Sequence, residues 1–101
     1  MNFNDYQTET KRTSVYPNVG KNFMYPAFGV ASEVGEIADT AKRIIRDKDG
    51  AYDDSDRELM KADIGDVLWY LSALASEFKL SLEEIAIHNL EKLRQRMDGA
   101  S

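Results

Sequence analysis

The stretch Asp63-Ile-Gly-Asp-Val-Leu-Trp-Tyr-Leu-Ser-Ala-Leu-Ala75 decides the fold. From position 67 to position 75 it is apolar on nearly every side, which is typical of a buried helix. Between positions 64 and 76 the only charged residue is Asp66. A carboxylate beside such a surface is costly unless it has a partner. Asp63 and Asp66 therefore need an explanation beyond helix formation.

The flanking sequence predicts three more helices and no strand. Ser55-Asp-Arg-Glu58 and Ser81-Leu-Glu-Glu84 read as capping boxes that open the third and fourth helices. Apolar residues between Val30 and Ile45 recur with a 3.6-residue period, which indicates a long second helix. A short first helix is followed by a loop rich in Pro, Gly and Asn. The predicted helices cover about 4–13, 27–46, 55–78 and 81–97.

Long helices with short connections predict an all-α, antiparallel helical bundle. One chain supplies only three long helices, and the third is apolar on several sides. We therefore expect a four-helix core completed by dimerisation, as a homodimer or a homotetramer built from two dimers. Gly35 and Gly65 lie inside helices, where a glycine usually marks a close helix–helix contact. The fourth helix is expected to turn its apolar residues inward, namely Leu82, Ile85, Ala86, Leu90, Leu93 and Met97.

Size and charge limit the function classes. The chain has 101 residues, so a single domain over 1–101 is expected. Its net charge of −5 disfavours binding to a nucleic acid polymer. No apolar run approaches the roughly 20 residues needed to cross a bilayer, so no membrane partner is expected. The absence of cysteine and of a signal-peptide pattern at the N-terminus predicts a cytoplasmic protein.

A second pair of acids, Glu33-Val-Gly-Glu36, matches the first pair in spacing. Residues three apart on a helix share a face, so each pair can act together. Glu33 is expected at the edge of an apolar stripe centred near Val34 and Ala41. For this pair alone, a solvated acidic edge explains the pattern as well as a binding site does. For Asp63 and Asp66, a binding site is favoured over a structural explanation. The helix dipole stabilises acids only in the first turn of a helix, and both residues lie beyond the first turn of the third helix.

Four carboxylates on two facing helices suggest a cation site. Carboxylate oxygens are hard ligands that suit Mg²⁺ or Mn²⁺ rather than zinc. Mg²⁺ keeps several waters and commonly bridges to substrate phosphates. A di-iron centre is the rival, but it requires Glu-x-x-His motifs on two helices. The only histidine, His88, stands four residues after Glu84, so that rival fits poorly.

The fourth helix adds donors along one edge of its apolar stripe. Asn89, Lys92 and Arg96 follow each other at spacings of three and four. A solvated edge is the usual location of Lys and Arg, but together the three side chains could also clamp a polyphosphate. On the third helix, Trp69 and Tyr70 are core residues on the ordinary interpretation. Tyr70 lies one turn after Asp66 and could instead face a ligand.

These motifs together resemble the MazG family. Glu33-x-x-Glu36, a spacer and Asp63-x-x-Asp66 are similar to the family signature E-x-x-E, a spacer and E-x-x-D. Asn89-Leu-Glu-Lys-Leu-Arg94, followed by Arg96, resembles the C-terminal helix of the family. The resemblance covers nearly the whole chain. It departs at Asp63, where the family usually has Glu, so the role of this residue is the least defined.

The resemblance implies a Mg²⁺-dependent nucleoside triphosphate pyrophosphohydrolase, with Mn²⁺ as an acceptable substitute. Such enzymes cleave between the α and β phosphates and release a monophosphate and pyrophosphate, and the short forms act on deoxynucleotides. They assemble as dimers or tetramers. The alternative is a catalytically idle helical dimer that regulates a partner. The implied catalytic and metal-binding residues are Glu33, Glu36, Asp63 and Asp66, and Asn89, Lys92 and Arg96 are expected to hold the phosphates. Trp69 or Tyr70 is expected to stack on the base. Lys21 and Asn22 are expected to border the base pocket, only because they precede the first motif.

Overall fold

The computed structural model describes residues 1–99, which form four α-helices and no strand. The all-α prediction is confirmed. α2 begins before its predicted start because Pro26 lies in the first turn, where a helix needs no backbone N–H. Gly99, expected to lie beyond α4, is instead its last residue. The helices are α1 at Phe3–Thr13, α2 at Met24–Lys48, α3 at Asp54–Glu77 and α4 at Leu82–Gly99.

Side-chain caps fix where α3 and α4 begin. The Asp56 N–H donates to Asp53 at 2.9 Å, and the Asp53 N–H donates back to Asp56 at 3.0 Å. The predicted box at 55–58 is therefore wrong by two residues, because aspartate caps a helix as well as serine does. At α4 the predicted cap residue is confirmed, since the Glu84 N–H donates to Ser81 Oγ at 3.2 Å.

α2 and α3 form an antiparallel hairpin that carries both acid motifs. Thr40 Oγ1 donates to Asp63 Oδ2 at 2.7 Å in the middle of the pair. Nearer the turn, Lys48 Nζ lies 2.8 Å from Asp53 Oδ2. Residue numbers rise along α2 as they fall along α3, which defines the antiparallel direction. The hairpin thus brings the middle of one acid-bearing helix alongside the middle of the other.

A glycine sets the closest approach of the two helices. A Cβ at Gly29 would overlap the ring of Tyr70, so α2 can lie against that ring only without a side chain. Gly35 and Gly65 were expected to mark such contacts. That prediction is wrong within the described chain, because a Cβ at either position would meet nothing within 4 Å. Both glycines lie on exposed parts of their helices.

α1 packs across α3 through polar side chains. The hydroxyls of Thr10 and Ser72, both buried, lie 2.7 Å apart. Gln7 Nε2 donates to Ser76 Oγ at 3.0 Å, and Gln7 Oε1 accepts the Leu82 N–H at 2.8 Å. One glutamine therefore ties α1 both to α3 and to the start of α4. Hydrogen bonds of this kind offset the cost of burying polar groups.

Apolar side chains remain exposed on α4. Of the six residues predicted to point inward, Leu82 is buried and Ala86 is half-buried. The other four are exposed within one chain, from 41% for Ile85 to 77% for Met97. The cause is that α4 packs mainly against α1 and not against the α2–α3 hairpin. The inward prediction is therefore wrong for most of this helix in a single chain.

The hairpin also leaves apolar residues uncovered. Val34 and Ile45 on α2 are 47% and 68% exposed, and Ile64 and Leu71 on α3 are 54% and 39% exposed. Exposed apolar surface is typical of interaction sites where it forms a contiguous patch. Within residues 1–99, no helix combines the length and the apolar character that a membrane crossing requires.

Candidate functional site

The best-held acid of the site is Asp63, on α3. Its side chain is buried, with 9% of the residue exposed, and Oδ2 accepts the hydroxyl proton of the buried Thr40 at 2.7 Å. This bond crosses from α2 to α3 and fixes the direction of the carboxylate. Asp66 follows one turn later and is exposed. The pair of acids on α3 therefore has one oriented member and one member open to solvent.

The second pair of acids faces the first across the hairpin. Burial, and then the negative charges of Asp66, Glu36 and Asp63, raise the pKa of Glu33 above its ordinary value. Carboxylates influence one another in this way only when they lie close together. Glu33 therefore lies within electrostatic range of the other three predicted acids. The predicted centre of the apolar stripe on α2 is wrong. Val34 was predicted to lie at that centre but is exposed, whereas Glu33, predicted at its edge, is half-buried.

The chemistry of these side chains fits a hard divalent cation. All the donors are carboxylate oxygens, and their mutual repulsion is what a bound cation relieves. Within residues 1–99, however, no group of three or more acidic or histidine side chains is arranged to hold a metal ion as it stands. Mg²⁺ is usually bound through one or two carboxylates, with waters and substrate phosphates as further ligands. The donor set suits that mode better than an all-protein cage.

Two aromatic residues of α3 lie at different sides of this site. The ring of Tyr70 packs on Gly29, and burial, then Tyr25, Glu33 and Asp66, raise the pKa of its hydroxyl. Tyr70 therefore lies within electrostatic range of Glu33 and Asp66, and its contact with a ligand stays a prediction. Trp69 meets Tyr70 edge-on, with ring centres 5.1 Å apart. Its indole N–H donates to a threonine hydroxyl of α1 at 2.8 Å, so Trp69 faces α1.

α1 supplies a neighbour that sequence reasoning missed. Burial and then the charge of Asp66 raise the pKa of Tyr6, so Tyr6 lies within electrostatic range of the exposed acid of α3. No local pattern predicts this proximity, because the two residues are far apart in sequence and α1 is too short to show a clear period. Only the packing of α1 across α3 reveals it.

The residues predicted to border the base lie in the loop at 14–23. Lys21 is exposed, while both the nitrogen and the oxygen of the Asn22 side-chain amide already form hydrogen bonds. Asn22 Nδ2 donates to the Pro17 carbonyl at 2.8 Å, and Oδ1 accepts the Tyr25 N–H at 3.2 Å. The role predicted for these residues stays a prediction. The bonds of Asn22 show that it also shapes the entrance to α2.

The predicted phosphate clamp lies apart from the acids. Asn89, Lys92 and Arg96 are exposed on α4. In the described part of the chain, no hydrogen bond or ion pair joins them to the four carboxylates. α4 packs on α1, so a single chain does not bring the basic and acidic groups together. Their joint role stays a prediction.

Comparison with known proteins gives two matches. The model of the MazG nucleotide pyrophosphohydrolase domain matches residues 27–100, which include both acid pairs. The Gene 37 protein of Mycobacterium phage L5 is 36% identical over 103 residues, covering 97% of this chain and 90% of the phage protein. No solved structure matches.

Proposed function

The chain belongs to the MazG nucleotide pyrophosphohydrolase family, and from this premise we propose that it hydrolyses nucleoside triphosphates, with deoxynucleotides as the preferred class. The proposed products are a nucleoside monophosphate and pyrophosphate, formed with Mg²⁺ present or with Mn²⁺ in its place. The observation that carries the proposal is the hydrogen bond from Thr40 to Asp63, which joins the two helices that bear the acid motifs. A net charge of −5 makes a cation necessary for binding a triphosphate.

The four acids have separate tasks in the proposal. Glu33, Glu36 and Asp66 hold Mg²⁺, which when bound neutralises phosphate charge and activates water. Asp63 has one oxygen committed to Thr40, so its free oxygen is left to bind the ion or to orient the attacking water. This division follows from burial, because Asp63 is buried while the other three acids are more open to substrate and water.

Glu36 is the preferred general base. It is exposed on α2, within reach of water, and next to the half-buried acid of the same motif. A protein nucleophile is disfavoured, because the chain has no cysteine and one histidine, and within residues 1–99 no hydrogen bond pairs that histidine with a serine. Water is therefore the proposed nucleophile, and Glu36 would remove its proton as it attacks.

The phosphates and the base would be bound by other residues. Asn89, Lys92 and Arg96 would hold the polyphosphate, delivered by a second copy of the chain. The exposed apolar faces of α2, α3 and α4 support such an assembly, as a homodimer or a homotetramer. Tyr70 is favoured over Trp69 for contact with the base, because it lies within electrostatic range of the acids. Lys21 and Asn22 would border the same pocket. The cytoplasmic location belongs to this proposal as well.

The test is direct. Each of the common dNTPs and NTPs is incubated with the protein and Mg²⁺, and the products are separated and identified. The account predicts monophosphate and pyrophosphate in equal amounts, and loss of turnover on chelation. Formation of diphosphate and phosphate instead would contradict it. No turnover with any nucleotide would favour the idle, regulatory dimer.

A matched pair of variants tests the base. Glu36→Gln keeps the shape of the side chain but removes its charge, and we expect kcat to fall by about 10²–10⁴-fold. Glu91→Gln makes the same change at an exposed acid of α4 and should leave kcat unchanged. Equal activity of the two variants would remove Glu36 from its role. Circular dichroism of both variants checks that the helices persist.

A further inference from the structure

An acid outside both motifs holds the loop that leads into α2. Glu77 ends α3 and accepts three hydrogen bonds from residues of the loop at 14–23. Oε2 accepts the Tyr16 hydroxyl at 2.5 Å and the Gly20 N–H at 2.7 Å, and Oε1 accepts the Asn22 N–H at 2.7 Å. We call this arrangement, Glu77 with Tyr16, Gly20 and Asn22, the Glu77 clasp.

The stability of α3 does not explain why a carboxylate lies at its C-terminal end. A negative charge at the C-terminal end of a helix is unfavourable, because the helix dipole is also negative there. Burial tends to raise the pKa of Glu77, but the hydrogen bonds from Tyr16, Gly20 and Asn22 outweigh it and leave the pKa below its ordinary value. The carboxylate is therefore ionised at neutral pH and strongly bound to the loop.

The loop in turn fixes the first turn of α2. The buried ring of Tyr16 stacks on Tyr25, with centres 5.1 Å apart and planes 9° apart. Asn22 Oδ1 accepts the Tyr25 N–H at 3.2 Å. Two members of the clasp thus contact the same residue, one through its ring and one through its backbone.

Tyr25 connects this end of the molecule to the acid site. Gly29, one turn further along α2, lies directly against the ring of Tyr70. Tyr70 follows Asp66 by one turn on α3, and the charges of Glu33 and Asp66 reach its hydroxyl. A shift of the first turn of α2 would therefore move the surface on which Tyr70 rests.

We propose that Glu77 is a positioning residue for nucleotide binding: it sets where the loop and the first turn of α2 lie, and so shapes the aromatic side of the site. It does not touch the substrate. The inference rests on the proposed function, which it deepens by adding a residue that neither acid motif contains. Loosening the clasp weakens nucleotide binding but leaves the acids, and so the chemical step, in place.

Glu77→Gln tests this with little change in volume. Glutamine has one acceptor oxygen and one NH₂ group, so at least one loop donor would face another donor. We expect KM to rise about 5–20-fold while kcat stays within about threefold of the wild type. The amide hydrogens of Gly20 and Asn22 should exchange faster. Glu58→Gln, at an exposed acid of the same helix, should change neither quantity.

Tyr16→Phe gives a graded second variant. It keeps the ring that stacks on Tyr25 but removes one of the three donors, so a KM rise of about 2–5-fold is expected. Unchanged KM in both variants would overturn the proposal, and so would a loss confined to kcat. Faster amide exchange with unchanged KM would also overturn it, because the clasp would then be structural only. A wild-type chain without turnover would refute the proposed function, and the exchange rates would then decide whether the clasp holds the loop.

Discussion

The α2–α3 hairpin and α4 carry the two halves of the predicted site, and they differ in how far their side chains are buried and bonded. In the hairpin, Asp63 is buried and bonded across the helix pair, and the charges of the other acids reach Glu33. On α4, Lys92 and Arg96 are exposed, and the apolar stripe beside them is largely uncovered. The hairpin therefore carries all four predicted acids within one chain. α4 has the features of a surface that meets another molecule.

This difference suggests how the proposed enzyme would be assembled. Acids that repel one another need a rigid frame, and the packing of α2 on α3, joined by the Thr40–Asp63 hydrogen bond, provides it. Basic side chains that grip a phosphate need reach, which long flexible Lys and Arg side chains have. A second copy could supply them while covering the apolar stripe of α4. The comparison therefore predicts that the acidic and basic groups of one site come from different chains.

Complementation between two inactive variants would sharpen that comparison most. Glu36→Gln lacks the base, and Arg96→Ala lacks a phosphate donor, so each should lose most activity alone. If the two groups come from different chains, a mixed dimer contains one intact site. Random exchange of equal amounts should then restore about a quarter of wild-type activity. Titration of one variant against the other, with turnover as readout, checks this. No recovery after exchange would place both groups in the same chain.

A pair of glycine substitutions tests the rigid frame. Gly29→Ala forces a Cβ into the ring of Tyr70, and we expect a loss of about 1–3 kcal/mol in the free energy of unfolding. Gly35→Ala lies on the same helix, with nothing within 4 Å of the new Cβ, and should add about 0.5–1 kcal/mol. Chemical denaturation measures both. A stabilising Gly29→Ala would contradict the close contact, whereas a destabilising Gly35→Ala would place that surface in an interface between copies.

The fold was largely predictable because its signals are local. The apolar run after Asp66 predicts a buried helix, and Gly, Pro and Asn separate the helices. The two acid pairs could be proposed from the sequence because residues three apart share a face in any helix. Gly29 was missed, and Gly35 was chosen wrongly, since the sequence does not say which glycine meets an aromatic ring across the hairpin.

Long-range contacts account for what the sequence could not predict. Tyr6 near Asp66 and the three bonds to Glu77 join residues separated by more than fifty positions. The orientation of α4 was also out of reach. Its stripe predicts a buried face, but a stripe does not say whether the covering surface belongs to the same chain.

The central claim is that the acids of the two motifs act together on a divalent cation, and the stability of Glu33→Gln with and without Mg²⁺ tests it most directly. The pKa of Glu33 is raised in the folded chain, so folding favours its protonated form. The stability that protonated Glu33 contributes is fully present below its unfolded pKa, and it is lost as the pH rises through the folded pKa. At neutral pH without metal, the folded chain bears that repulsion. Removing the charge should therefore raise Tm by roughly 1–4 °C, while the further rise that Mg²⁺ gives the wild type should disappear. A Glu33→Gln variant that melts below the wild type in chelator, and still gains the full Mg²⁺ shift, would contradict the account.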